Sequence, residues 1–203
     1  MASVHYLALL RGINVGGSNI IKMTDLKACF EALGCTDTAT YIQSGNVVFR
    51  SEERDAAKLV SKAERALSAR FGYSSRVVVL THKQLLHIVE RAPDGFGENP
   101  DHYKYDVIFL KEPLTEAEAM KAIHLNQGVD TAQKGKGVLY CSRLISKATQ
   151  SHLSRIVTLP IYQSMTIRNW NTTGKLLALM NSASMTPLAE PRSIRRPKGV
   201  GIN

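Results

Sequence analysis

The chain has 203 residues, 44% of them hydrophobic, which suits one large domain or two small ones packed around a real core. No apolar run approaches the roughly 20 residues of a membrane span, and three cysteines without C-x-x-C spacing exclude a disulfide framework. The formal net charge of +9 favours polyanionic partners such as nucleic acid or phosphorylated ligands, though it also serves solubility alone.

Val4 to Arg11 is almost wholly apolar and reads as a strand buried on both faces. A glycine-rich loop follows. Thr24 is placed to cap a helix over Asp25 to Leu33, with Gly34 as its stop. Ala39 to Gln43 and Val47 to Arg50 read as strands around a Ser44-Gly45-Asn46 turn. Asp55 to Arg70 carries a helical stripe of Leu59, Ala63, Ala66 and Leu67, and Arg76 to Thr81 is a β-branched strand. Strand, helix, strand, strand, helix, strand is the split ferredoxin-like order.

Lys83 to Arg91 reads as a connecting helix. Ala92 to Tyr103 holds Pro93, Gly95, Gly97 and Pro100 and marks the domain boundary. The order then recurs. Asp106 to Lys111 is a strand, Thr115 to His124 a helix, and Val129 to Gln133 and Val138 to Arg143 are strands about a Lys134-Gly135-Lys136-Gly137 turn. Thr149 to Val157 is expected to be a helix and Gln163 to Arg168 a strand. Asn171 is expected to cap a last helix to about Asn181. The predicted architecture is α+β: a ferredoxin-like subdomain over 1–81, a connector over 82–104, a second subdomain over 105–184, and a mobile basic tail over 185–203. The two first strands are apolar on both faces, so the halves are expected to cover each other in one globule.

Three segments are rich in groups that hydrogen-bond without titrating: LLRGINVGGSN, TYIQSGNVVF and MTIRNWNTTGK. The candidate ligand-binding residues are Arg11, Gly12, Asn14, Gly16, Gly17, Tyr41, Ser44, Asn46, Arg168, Asn169, Asn171 and Lys175. The first loop is not a dinucleotide fingerprint, because Asn14 stands where the middle glycine belongs and the helix starts too late. Thr172-Thr173-Gly174-Lys175 is not a phosphate loop, because Leu176 follows the lysine and the earlier glycine is missing. Glycine backbone N–H groups beside Arg11 would still suit an anion. Ser44 has no nucleophile elbow. The six histidines show no metal spacing, and neither a metal nor a cofactor is expected. Phe109 and Tyr140 sit where RNA-binding plaits stack bases, but the full consensus is absent and a core role is the simpler reading.

With the three motifs in this order, the chain resembles the bacterial family known as the domain of unknown function numbered 1697, over about residues 3 to 180. The resemblance implies cytoplasmic proteins built from ferredoxin-like plaits and supplies no activity, cofactor or catalytic residue. Function is therefore expected to be a binding module for an anionic ligand, nucleotide or nucleic acid, at the surface where the motifs meet. Two alternatives stand beside it. The motifs are structural and the protein docks a protein partner, or they position a small substrate of an enzyme. No membrane association is expected. One observation separates these readings: whether Arg168 and Asn169 reach the glycine turn of the first half.

Overall fold

The computed structural model describes residues 3–14 and 19–184. Gly16, Gly17 and the basic tail lie outside the described residues.

The fold is α+β, with two four-stranded antiparallel sheets. The first half runs β1 (Val4–Leu10), α1 (Met23–Ala32), β2 (Thr36–Tyr41), β3 (Asn46–Ser51), α2 (Ala56–Phe71), β4 (Val77–Thr81) and α3 (His82–Glu90). Its strands lie in the order β2-β3-β1-β4. The second half runs β5 (Tyr103–Leu110), α4 (Glu116–Ala122), β6 (Asp130–Gly135), β7 (Val138–Leu144), three short 3-10 turns, β8 (Met165–Asn169) and α5 (Trp170–Ser184). Its order is β6-β7-β5-β8, the same arrangement repeated.

Local chemistry accounts for most boundaries. Asp55 caps α2 through Lys58 N–H, and Gly72 ends it in the left-handed region at φ 69°. Thr81 with Gln84, and Thr115 with Glu118, form capping boxes that open α3 and α4. Two expected caps differ. The first helix begins at Met23 behind Lys22, with no side-chain cap, so Thr24 lies inside it. At α5 the Asn169 side chain accepts the Asn171 N–H at 2.9 Å, so Asn169 does the capping and Asn171 is exposed.

The helix expected over Thr149 to Val157 is instead a chain of 3-10 turns, Ile145–Gln150, Leu153–Thr158 and Pro160–Ser164. Ser151 breaks it: its hydroxyl donates to Asp130 at 2.6 Å and accepts from Leu153 N–H at 3.2 Å, which competes with helical bonding. Pro160 then removes another donor.

Five layers result. Helices α1 and α2 cover one face of the first sheet, where Tyr6, Leu10 and Phe49 meet Phe30, Leu59 and Leu67. In the second sheet, α4 and the 3-10 turns cover the outer face through Ala119, Ile123, Leu153 and Ile156. The two inner faces do not touch directly across their whole area. Helices α3 and α5 lie between them, and Leu85, Ile88, Leu176 and Met180 share one cluster with Leu7, Leu9, Phe109 and Tyr140. Each such side chain contributes about 1.5–3 kcal/mol by leaving water. The Tyr140 hydroxyl ties the halves further by donating to Ile88 C=O at 2.6 Å. Phe109 and Tyr140 are therefore fully buried core residues, not a base-stacking face. Phe96 of the connector packs edge-on against Tyr105, Tyr140 and Trp170, with centroids 4.9, 5.4 and 5.2 Å away.

Candidate functional site

The three motifs converge at the C-terminal end of β1. The neck of the glycine loop is closed by two asparagines. Asn14, at φ 53°, accepts Ile21 N–H at 2.7 Å and donates to Ile21 C=O and Gln43 C=O, both at 3.0 Å. Asn19 donates its side-chain amide to Gly12 C=O at 2.8 Å. Asparagine tolerates the left-handed backbone and bonds locally, which explains its place here.

The β2–β3 turn fits under this loop. Gly45 takes φ 72°, and its C=O accepts Leu10 N–H at 2.8 Å. A methyl group on Gly45 would lie 2.8 Å from Leu10 Cβ and 2.9 Å from Ile13 Cδ1, so only glycine lets the backbones approach this closely. Asn46, fully buried, donates to Tyr41 C=O at 3.0 Å and to Ser44 Oγ at 2.8 Å. Tyr41 itself is half-buried against the shared core.

Arg168 crosses from β8 into this turn. Its Nε donates to Asn46 Oδ1 at 2.5 Å. Nη1 donates to Thr166 Oγ1 at 2.9 Å and Ile167 C=O at 2.8 Å. Nη2 donates to Leu10 C=O at 2.9 Å and Ser44 C=O at 2.8 Å, with Gly45 C=O at 3.4 Å. Every N–H of the guanidinium thus has a neutral acceptor inside the protein. Burial lowers the Arg168 pKa to about 10, which leaves it charged at neutral pH. The carbonyls ring the cation as a dipolar cage, and among the described residues no carboxylate is its partner.

Of the predicted residues, Arg11, Gly12, Asn14, Ser44, Asn46 and Arg168 are brought together. Asn169 turns away, donating to Tyr105 C=O at 3.2 Å. Asn171 and Lys175 are exposed on α5. Arg11 places its guanidinium 4.5 Å from the centroid of the Tyr162 ring, while its Nε is buried without a hydrogen-bond partner among the described residues. Tyr162 was not among the predicted residues, because a lone tyrosine in an irregular stretch carries no spacing signal, and Thr166 stood inside the third motif without being singled out.

Reactive groups are scarce. Burial pushes the Cys35 thiol up to about 11 and the Cys141 thiol up to about 12, so both stay protonated and poorly nucleophilic. Among the described residues, no three His, Cys, Asp or Glu side chains group closely enough to hold a metal ion. A wide concavity lies between the halves: about 1110 Å³, floored by β4 and walled by α2, α3 and the loop over 110–116.

No helix of the described residues is long and apolar enough to cross a membrane. No curated protein matches the chain. The conserved bacterial protein SP0830 from Streptococcus pneumoniae has a similar solved structure, with a TM-score of 0.78, 25% identity, and 88% of this chain and 99% of that chain covered. A family model described as a protein of unknown function, DUF1697, matches residues 4–140, and the chain belongs to that family.

Proposed function

We propose that this is a protein-interaction module, in which the three polar motifs build the seam between the halves and recognition takes place in the groove beside it. The observation that carries this reading is Arg168, whose donors all end on carbonyl, hydroxyl or amide oxygens of the protein itself. A buried arginine saturated in this way has no hydrogen bond left for an anionic ligand. Asn14, Asn19 and Asn46 are engaged in the same manner. Each half is read as a ferredoxin-like α-β plait, supported by the repeated β2-β3-β1-β4 order. The second half replaces its second helix by 3-10 turns. A cytoplasmic setting belongs to the same proposal, supported by three free, buried cysteines.

The test pairs stability with nucleic-acid binding. Asn46→Ala and Arg168→Lys should each lower the melting temperature, while mixed oligonucleotides should show no salt-sensitive binding. Oligonucleotide affinity that falls steeply with salt and disappears in Arg168→Lys would reverse the reading.

A second reading, an anionic ligand at the motif surface, is favoured by one observation. Arg11 stands half-exposed over Tyr162, its Nε without a partner among the described residues, beside the exposed Gly12. Arg11→Gln would then abolish binding of inorganic phosphate or oligonucleotide without lowering the melting temperature.

A further inference from the structure

The geometry points to β4 as the docking edge for an extended polypeptide segment with alternating apolar and acidic side chains, added as a fifth strand to the first sheet. This rests on the reading of the protein as an interaction module and names the partner of its groove.

Among the described residues, strand β4 has only β1 as a neighbour. Arg11 N–H bonds Arg76 C=O, so the alternation of an antiparallel ladder turns residues 76, 78 and 80 inward to β1 and residues 77, 79 and 81 outward. Two outward donors are already capped: Val77 N–H by Glu64 Oε1 at 2.8 Å, and Thr81 N–H by Gln84 Oε1 at 2.8 Å. Between them, the outward N–H and C=O of Val79 have no partner among the described residues.

Strand β4 is capped at its ends, whereas the other sheet edges carry their disruptions within the strand. The topologically equivalent edge, β8, has its outward Ile167 C=O capped by Arg168 at 2.8 Å. Strand β2 breaks register between Thr36 and Ala39, with Asp37 in the left-handed region at φ 49°. Strand β6 is polar, with Thr131, Gln133 and Lys134. Breaks, charges and caps are the usual means of stopping stray strand pairing. The sequence Val77-Val78-Val79-Leu80-Thr81 has the strongest β propensity of the four edges, yet its centre is left open at the bottom of a groove.

The groove walls specify side chains. An added strand puts alternate residues on opposite faces of the sheet. One face meets Ala57, Val60 and Ser61 of α2, which are small or apolar. The other meets Lys83 and His87 of α3, with Lys136 reaching from the second half. Three acids also line the groove, Glu64, Glu112 and Glu116, and Glu64 pairs with Lys111 at 3.4 Å, but five lysines and arginines outnumber them. An incoming strand therefore meets the small and apolar side chains of α2 on one face and Lys83 on the other, in a groove where basic groups outnumber acids. Main-chain bonds supply the affinity of such docking, and alternate side chains supply the selectivity.

The probe is a fluorescein-labelled decapeptide of alternating valine and glutamate, measured by fluorescence anisotropy on the full chain. Binding is expected, with protection of the Val79 amide from hydrogen exchange. N-methylation of one parity of the peptide should weaken binding at least tenfold while the other parity is tolerated, because only one set of N–H groups faces β4. Replacing glutamate by lysine in the peptide, or Lys83→Glu in the protein, should weaken it at least threefold. Failure of the peptide to bind, or equal tolerance of N-methylation at both parities, overturns the proposal. A concentration-dependent dimer abolished by Val79→Pro, without peptide binding, overturns it in favour of a second copy on the same edge. Absence of peptide binding while Arg168→Lys still lowers the melting temperature sinks this inference alone. Arg168-dependent oligonucleotide binding sinks the interaction-module reading beneath it.

Discussion

At the scale of single residues, the seam depends on groups that have no alternative partner. Arg168→Lys keeps the charge but loses the planar fork, and leaves Asn46, Leu10 or Ser44 oxygens unpaired. It should cost about 2–4 kcal/mol in denaturant unfolding. Ile42 offers the opposite case. It is a β-branched residue at φ 47°, half-exposed at 51%, so its backbone strain is not offset by burial. Ile42→Asn should raise stability by about 1 kcal/mol. His5 gives a pH dependence. Burial, with Arg50 and His82 nearby, lowers its pKa below the ordinary 6.5. The unfolded chain then binds the proton more readily, so stability should fall as pH drops through and below 6.5. His5→Asn should flatten that part of the melting profile. The motif residues were legible in the sequence because Asn, Gly and Arg cluster there, but their role was not. An arginine offers the same N–H groups to a phosphate as to a backbone carbonyl, and only the arrival of Arg168 at Leu10 and Ser44 distinguishes the two.

Among the elements, the strands and most helices were read close to their observed places, although Thr24 and Asn171 were read as caps that the structure does not use. Thr115 before α4 announces itself as a cap, whereas Asp55, read as the first residue of α2, turns out to be its cap. The helix expected over Thr149 to Val157 fails because the organiser of that stretch is remote. Burial raises the pKa of Asp130, but bonds accepted from Ser151, Asn126 N–H and His152 N–H outweigh it, and the net shift is downward. That one carboxylate gathers the end of β6 and two 3-10 turns, and no periodicity in 145–164 could reveal it. A carboxylate whose pKa is lowered stabilises the fold above its unfolded value near 3.8, and that contribution is lost as pH falls further. Asp130→Asn should reproduce the loss at neutral pH, costing about 1–3 kcal/mol, and remove the acid-induced component. Circular dichroism across pH 5 to 2.5 reads both effects.

For the whole molecule, the repeated strand order was readable from the recurrence of pattern, and so was the need for each half to cover the other. The means of covering was not. Helices α3 and α5 each follow the last strand of a half, and a hydrophobic stripe does not say which of two sheets it will meet. In the structure both meet both, through Leu85, Ile88, Leu176 and Met180. The seam at Arg168 then fixes one end of the two sheets, while Lys111 and Glu64 link them beside the β4 groove. Gly45→Ala probes how rigid that end is. The added methyl collides with Leu10 and Ile13 at a backbone of φ 72°, and a loss of about 2 kcal/mol or more is expected in thermal melts.

The shared middle layer has a consequence for how the chain can be cut. A break in the exposed segment near Pro100 severs no strand or helix, yet it parts two pieces that hold one core between them. Neither piece should fold by itself, whereas the two expressed together should reassemble without a covalent link. Phe96 would act as the latch, carried by the first piece into the aromatic pocket of the second. Such a pair would behave as an obligate heterodimer and could report, by complementation, whether two other proteins fused to its pieces come together.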